Sequence, residues 1–257
     1  MLTTHSAERA GFLQSSAMEP RRALVTGAAS GIGAACVERL VKDGFHVLAV
    51  DREPVPESAG VQPLLADLSE LDALGELPTD IDVLVNNAGV QTVAPVEEFP
   101  PERFSYLVRL MLEAPFRLIR QSLPHMYATG WGRVVNISSV HGLRASPFKA
   151  AYVAAKHGLE GLSKVVALEG AARGVTSNCV TPAYVRTPLV TAQLADQATA
   201  HGLSESEVLN NVMLEPVAVK RLIEPAEVAE LVALLCGPAS ASITGSSFVL
   251  DGGWTAH

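Results

Sequence analysis

The chain has 257 residues, of which 48% are hydrophobic and 18% charged, so it can bury the core of one large domain and does not have the composition of a disordered protein. The formal net charge is -8 and the Lys and Arg residues form no cluster, which argues against nucleic acid or an anionic membrane surface as a partner. No apolar run reaches the roughly 18 residues of a membrane span, and the three scattered cysteines indicate buried thiols in a reducing, cytoplasmic compartment and no metal site.

Residues 1–20 have neither the basic start nor the continuous apolar centre of a signal peptide. We expect them to form a flexible tail, with Met18 as the natural start, ahead of a single domain of residues 21–257.

A short apolar strand, Arg22–Thr26, runs into a glycine-rich stretch and then an amphipathic helix. Glycines let backbone amides approach a pyrophosphate, and the helix N-terminus favours its negative charge. This context predicts a dinucleotide-binding loop, with a plain glycine-rich turn as the alternative. The residues of this loop that we assign to the cofactor are Gly27, Ser30, Gly31, Ile32 and Gly33.

The second strand, residues 46–50, ends in Asp51, about 20 residues beyond the glycine loop. A carboxylate there can accept both ribose hydroxyls of an adenosine and would repel a 2′-phosphate, which favours NAD over NADP. Arg52 could instead hold such a phosphate, but no second positive charge accompanies it. The alternative for Asp51 is an ordinary turn residue at a strand end.

Two further strands end in candidate cofactor contacts. Val61–Leu65 leads to Asp67 and Leu68, where Asp67 could reach an adenine edge or cap a predicted helix over residues 68–74. The strand at residues 81–85 leads to Asn87, Ala88 and Gly89, small groups that suit close approach by a flat cofactor.

Tyr152 and Lys156 lie four residues apart, which places them on one face of a helix predicted from Ser146 to about Arg173. A phenol has a pKa of about 10, and a nearby ammonium would lower that pKa and let Tyr152 act as an acid or base. Ser139, just after the strand Gly132–Ile137, could hold the substrate oxygen. Taken alone, the pair could also be a surface Tyr and Lys.

The rest of the chain alternates helices and strands. A helix over residues 101–125 should kink at Pro115, and a strand at residues 175–180 precedes a Pro-bounded loop. Residues 188–216 are predicted as a substrate lid, or alternatively a surface helix pair, before a helix at residues 224–235 and the strand Ser247–Leu250. The alternation predicts an α/β fold with a parallel sheet and helices on both faces.

Together and in this order, the glycine loop, Asn-Asn-Ala-Gly, the serine ahead of Tyr-x-x-x-Lys and the Pro-bounded loop resemble the classical short-chain dehydrogenase/reductase family. The resemblance implies a Rossmann-type, doubly wound sheet of seven strands, hydride transfer with NAD, and a homotetramer built on two long helices. It implies Tyr152 as acid/base, Lys156 as the ribose-binding group that tunes it, and Ser139 as the holder of the reacting oxygen. It also implies cofactor contacts from the Pro-bounded loop at Pro182, Val185 and Thr187.

Residues 123–126, 140–143, 149–158, 184–190 and 251–256 are similar to the bacterial D-3-hydroxybutyrate dehydrogenases within this family. The similarity implies reversible oxidation of (R)-3-hydroxybutyrate to acetoacetate, a step of ketone-body metabolism. It implies that polar side chains bind the substrate carboxylate and that a tryptophan closes the pocket. The matching residues here are Gln91, His141, Lys149, Gln193 and Trp254.

The residues themselves favour part of this set. Lys149 precedes Tyr152 by three, so it could lie one helical turn away as a carboxylate anchor, and His141 is two residues beyond Ser139. One departure is Met111, which occupies the position of a relay asparagine in the family, and a thioether cannot donate a hydrogen bond. Alternatives are a reductase of another oxo-acid, alcohol or 3-oxoacyl thioester, or a nucleotide-binding protein with little catalysis.

Overall fold

A computed structural model describes residues 20–256 of the chain, apart from the side chains of residues 196, 197, 199, 200 and 201. Residues 1–19, nearly all of the predicted tail, lie outside the described residues.

One sheet of seven parallel strands organises the molecule, as predicted. The strands are β1 (Arg22–Thr26), β2 (His46–Asp51), β3 (Val61–Leu65), β4 (Val83–Asn86), β5 (Gly132–Ile137), β6 (Val175–Pro182) and β7 (Ser247–Leu250). Every residue of β4, β5 and β6 is buried, as expected for strands covered on both faces.

The strands lie in the order β3-β2-β1-β4-β5-β6-β7, so the chain reverses its direction of travel across the sheet between β1 and β4. In an open parallel sheet, this switch point leaves a crevice at the carboxyl ends of the strands. The strand order therefore places the glycine loop after β1 beside the Asn-Asn-Ala-Gly stretch after β4.

Helices cover both faces of the sheet. The helices are α1 (Gly31–Lys42), α2 (Pro101–Val108), α3 (Ala114–Thr129), α4 (Ala150–Gly170), α5 (Pro188–His201), α6 (Glu205–Val208) and α7 (Pro225–Cys236). Apolar side chains of α1 and α7 form the core on one face, and those of α2, α3 and α4 form the core on the other. Within residues 20–256, every helix is too short or too polar to cross a bilayer.

The helix predicted at residues 68–74 is absent, and a single 3₁₀ turn, Ala73–Glu76, follows instead. The Asp67 carboxylate accepts hydrogen bonds from both the amide and the hydroxyl of Ser69, which closes a local turn in place of a helix cap. Gly75 within the turn further disfavours a longer helix.

The long helix predicted at residues 101–125 is divided by a π-helical turn, Arg109–Glu113. Pro115 has no N–H to donate to the carbonyl of Met111, four residues earlier. The wider π turn just before Pro115 accommodates the missing hydrogen bond, so the predicted disruption is a π turn between α2 and α3.

The helix that carries Tyr152 begins at Ala150, four residues later than predicted. Phe148 has a φ of 66°, in the left-handed region that a right-handed helix excludes. Lys149 is consequently the N-cap residue of α4 and does not lie inside the helix.

Residues 188–216 fold into α5, α6 and a second π turn, Leu209–Met213. Apolar side chains of this segment, with Val217 and Leu222 beyond it, form a small separate core that also contacts Tyr184 and Trp254. This core, which we call the α5–α6 cluster, consists of Val190, Leu194, Val208, Met213, Leu214, Val217 and Leu222.

Candidate active site

A single cleft at the carboxyl edge of the sheet brings the predicted site residues together. For the cofactor these are Gly27, Ser30, Gly31, Ile32, Asp51, Asp67, Leu68, Asn87, Ala88, Gly89, Pro182, Val185 and Thr187. For the reaction and the substrate they are Gln91, Ser139, His141, Lys149, Tyr152, Lys156, Gln193 and Trp254. Gly33 is the one predicted site residue that does not line the cleft.

Gly33 instead allows α1 to approach the loop that precedes it. A Cβ on Gly33 would lie 1.9 Å from the carbonyl oxygen of Gly27 and 2.7 Å from Asn87 Nδ2. Gly27 and Gly31 have φ values of 67° and 55°, which L side chains rarely adopt. All three glycines are therefore required by the backbone path, and Gly33 acts through packing.

The loop also presents unused amide donors to the cleft. Ser30 is the N-cap residue of α1, and among the described residues its side chain makes no capping hydrogen bond. The N–H groups of the first turn are thus free to bind an anion, and the positive end of the helix dipole points at the same place. This arrangement fits the pyrophosphate of a dinucleotide.

Asn87 ties the end of β4 to the glycine loop. Its Nδ2 donates to the carbonyl oxygens of Thr26 and Gly27 at 2.9 and 3.1 Å, and its backbone N–H donates to Thr26 Oγ1 at 2.9 Å. Asn87 thus sets the spacing of the two sides of the crevice. Thr26, which the sequence analysis did not single out, completes this connection.

Asp51 ends β2 at the far side of the cleft. Its carboxylate accepts hydrogen bonds from the amides of Ala29 and Glu53, at 2.9 and 3.0 Å. These bonds fix the carboxylate next to the glycine loop, where an adenosine ribose would lie. Arg52 is largely exposed and lies 3.9 Å from a carboxylate oxygen of Glu53, so its charge is partly compensated.

Lys156 is buried among strand ends. Lys156 is only 4% exposed, and its Nζ donates a hydrogen bond to the carbonyl oxygen of Ile137 at 2.7 Å. Nζ lies 5.6 Å from the centre of the Tyr152 ring. Burial lowers the pKa of Lys156 to about 8, against smaller opposing effects of Cys179 and Glu160.

The pKa of Tyr152 differs from the expectation. Burial of the phenol raises its pKa, and the hydrogen bond with the Ser139 side chain lowers it by less. The predicted lowering by Lys156 is therefore not present in this state of the protein, because loss of hydration outweighs the other contributions. In this state Tyr152 is a neutral phenol, which is the form that donates a proton to a carbonyl oxygen.

Ser139 is held by its own turn. Its hydroxyl accepts a hydrogen bond from the amide of His141 at 3.2 Å and caps the 3₁₀ turn Val140–Gly142. The residue is buried at the end of β5. The Ser139 side chain is thus fixed beside Tyr152 before any substrate binds.

The polar end of the cleft is formed by Lys149 and His141. Lys149 Nζ donates to His141 Nε2 at 3.1 Å and lies 5.9 Å from the centre of the Tyr184 ring. Burial and the charge of Lys149 lower the pKa of His141 to about 4, and burial lowers the pKa of Lys149. Near neutral pH the pair therefore carries one positive charge, on Lys149.

Aromatic rings enclose this polar pair. The His141 ring packs edge-to-face against Tyr152 and Trp254, with centroid distances of 6.2 and 5.7 Å. Tyr184 lines the same cleft and was missed in the sequence, although it lies within the Pro-bounded loop. A single charged group surrounded by rings suits a small anionic ligand with a short apolar part.

Met111 is buried in the π turn behind the cleft. Its sulfur lies 3.3 Å from the ideal Cβ position of Gly89, so the side chain packs against the Asn-Asn-Ala-Gly stretch. A thioether accepts hydrogen bonds only weakly and donates none. The residue thus supports the shape of the crevice and supplies no proton donor.

The chain is similar in sequence and fold to known dehydrogenases. Residues 21–198 match the family described as short chain dehydrogenase. The chain is 43% identical over 256 residues to a D-beta-hydroxybutyrate dehydrogenase of Rhizobium meliloti, covering 92% of this chain and 99% of the relative. A protein of the same name from Cupriavidus necator is 37% identical over 92% of this chain and 98% of its own length.

A solved structure titled 4-hydroxyisoleucine dehydrogenase complexed with NADH superposes on this fold with a TM-score of 0.83. It is 30% identical, and the match covers 92% of this chain and 99% of that one. A protein whose structure is this similar is thus known in complex with NADH.

Proposed function

The chain belongs to the short-chain dehydrogenase family, and we propose that it catalyses the reversible, NAD-dependent oxidation of (R)-3-hydroxybutyrate to acetoacetate. The observation that carries this proposal is the hydrogen-bonded pair of half-buried Lys149 and buried His141, a positive charge enclosed by rings beside Tyr152. A carboxylate bound there is held on the same side of the cleft as the phenol. The names of the two relatives favour the same substrate.

The cofactor and the residues of the cleft have different roles in the proposed reaction. The bound cofactor supplies the hydride acceptor and, when oxidised, a positive charge that favours the phenolate. Ser139 donates a hydrogen bond to the reacting oxygen, and Tyr152 takes the hydroxyl proton during oxidation or returns it during reduction. Lys156 holds the nicotinamide ribose and stabilises the charged form of Tyr152.

Substrate binding follows from charge and shape. Lys149 pairs with the carboxylate, while His141, Gln91 and Gln193 add hydrogen bonds to its oxygens. Trp254 and Tyr184 enclose the short carbon chain. With the carboxylate and the reacting oxygen both fixed, only one enantiomer presents its hydrogen to the cofactor.

The preference for NAD over NADP is supported by Asp51. Its carboxylate is fixed by the amides of Ala29 and Glu53 at the ribose end of the cleft. A 2′-phosphate would approach this negative charge, and Arg52 is already close to Glu53. We therefore assign NAD as the cofactor, and binding of NADH and NADPH by fluorescence titration tests the assignment.

We further propose a homotetramer that uses the two long helices. Large apolar side chains on α3 and α4 remain exposed in the single chain, namely Phe116, Val165 and Leu168, the last at 83%. Burial of such side chains between subunits is favourable. Light scattering of the wild type and of Leu168→Glu tests this arrangement.

We also propose a cytoplasmic location, which the three free, buried cysteines support. The proposed substrate supports a role in ketone-body metabolism.

The activity is tested by following NADH formation with each enantiomer of 3-hydroxybutyrate. We expect turnover with the (R) enantiomer only, and reduction of acetoacetate in the reverse direction. Acetoacetyl thioesters serve as the comparison, because other members of this family reduce them. Equal rates with both enantiomers, or reduction of thioesters alone, would rule out the proposal.

A further inference from the structure

A buried carboxylate lies one helical turn beyond the proposed ribose-binding lysine, and the reaction described above does not use it. Glu160 follows Lys156 by four residues on α4 and is 3% exposed. Carboxylates are seldom buried this deeply unless they are paired with a positive charge or serve a function.

The hydrogen bonds of Glu160 are incomplete. Oε2 accepts from the hydroxyl of Ser247 on β7, Oε1 has no nitrogen or oxygen donor among the described residues, and the carboxylate also interacts with the Cys179 thiol. Leaving a buried carboxylate oxygen unpaired is costly, so a compensating charge nearby is expected. The cation on the same face of α4 at one-turn spacing is Lys156.

Packing holds the Glu160 side chain against the catalytic strand end. A Cβ on Gly142 would lie 2.4 Å from Ser138 Oγ, 3.0 Å from Glu160 Cγ and 3.2 Å from the carbonyl oxygen of Lys156. The Glu160 side chain and the backbone carbonyl of Lys156 therefore both lie against Gly142, in the turn that Ser139 caps. The absence of a side chain at Gly142 leaves room for this approach.

We propose that Glu160 is a positioning residue for Lys156 and that its buried carboxylate favours the charged form of the Lys156 ammonium. This inference rests on the proposed role of Lys156 in the reaction. The carboxylate acts through Lys156 and does not touch the substrate.

The other ionisable groups around Lys156 are Tyr152 on α4 and Cys179 on β6. Burial lowers the pKa of Lys156, and Cys179 and then Glu160 raise it by less. Burial, and then the Glu160 carboxylate, raise the pKa of Cys179, so this thiol stays neutral in the working pH range. Glu160 is thus the negative charge available to compensate the ammonium.

The direct test is the titration of Lys156 in protein labelled with ¹³C at lysine Cε. The chain has five lysines, so the spectrum is simple, and Lys156→Arg assigns the signal. In the wild type we expect a pKa of about 8. In Glu160→Gln, which keeps size and the Ser247 hydrogen bond, we expect a decrease of about one unit.

A matched control separates the charge of Glu160 from a general loss of negative charge on the helix. Glu169→Gln removes an exposed carboxylate from α4 and should leave the Lys156 titration close to that of the wild type. An unchanged titration in Glu160→Gln, or an equal decrease in Glu169→Gln, would overturn the inference.

The kinetic counterpart is the pH profile of kcat/KM for the wild type and Glu160→Gln. Because the variant lysine loses its proton at lower pH, we expect the alkaline limb to move down by about one unit. If the wild type does not oxidise (R)-3-hydroxybutyrate, the proposed function fails, whereas the NMR titration still tests Glu160. If the wild type is active and the two profiles superimpose, the role of Glu160 fails alone.

Discussion

Neutralising Lys149 should weaken binding of the substrate far more than it slows the chemistry. The ammonium lies 3.1 Å from His141 Nε2, and His141 is buried while Lys149 is half-buried. A hydrogen bond to a charged group in such a site contributes about 2 kcal/mol, within a range of about 1.5–3 kcal/mol. Since 1.4 kcal/mol is tenfold, Lys149→Met should raise KM for (R)-3-hydroxybutyrate roughly 30-fold.

The assay is initial-rate NADH formation over a wide range of substrate concentrations. The matched control is Lys164→Met, which removes an exposed lysine from α4 and should leave KM unchanged. Dissociation constants for NADH should be the same in both variants, because Lys149 lies at the substrate end of the cleft. A change in KM of less than about threefold for Lys149→Met, below 1 kcal/mol, would refute carboxylate binding by Lys149.

The pH dependence gives a second measure of the same group. Burial lowers the pKa of Lys149 below its ordinary value of 10.5. The charged form binds the carboxylate, so KM should be constant at low pH and rise as pH increases through the lowered pKa. Lys149→Met should lack this rise.

Three further outcomes are expected. Tyr152→Phe should lower kcat about 10²- to 10⁴-fold, since it removes only the oxygen that transfers the proton. Fluorescence titration should show that the variant still binds NADH, and normal turnover would contradict the mechanism. Asp51→Ser should raise kcat/KM for NADP about tenfold or more by removing a fixed negative charge, while Glu53→Gln should change it less. Gly142→Ala should lower the free energy of unfolding, measured in urea, by about 1–3 kcal/mol, because the added Cβ would lie 2.4 Å from Ser138 Oγ. An unchanged free energy of unfolding would show that the Ser138 side chain moves away without cost.

The parallel sheet could be predicted because its strands are short, mostly rich in apolar residues and bounded by turns or helices. The ranges Arg22–Thr26, Val61–Leu65, Gly132–Ile137 and Ser247–Leu250 agree with the structure residue by residue. Helix boundaries were less predictable, because they depend on single backbone conformations. The helix α4 begins only after Phe148, because this residue has a positive φ, which is unfavourable for phenylalanine and incompatible with a right-handed helix.

The composition of the cleft was largely predictable, because the carboxyl ends of parallel strands converge. Its electrostatics were not. The pKa of Tyr152 depends on how completely the phenol is enclosed, which the spacing to Lys156 does not determine. Gly33 was assigned to the cofactor from its place in the glycine pattern, whereas its contact with the Gly27 carbonyl arises only when α1 folds back on the loop.

Glu160 could not be singled out in the sequence, since a glutamate four residues after a lysine is ordinary on any exposed helix. Its significance comes from the third dimension, where β7 and the turn at Gly142 enclose that face of α4. Sequence spacing identifies which groups share a helix face, but only the packed structure shows whether that face is buried from solvent.

The α5–α6 cluster has an evolutionary consequence. Because Val190, Leu194 and Val208 belong to a core separate from the two cores on the faces of the sheet, this part of the chain has its own small interior. We expect insertions or exchanges between α5 and the second π turn to change this interior more than the packing of the sheet. New substrate preferences could thus arise in descendants of this enzyme by replacing one module, while the hydride-transfer apparatus is inherited unchanged.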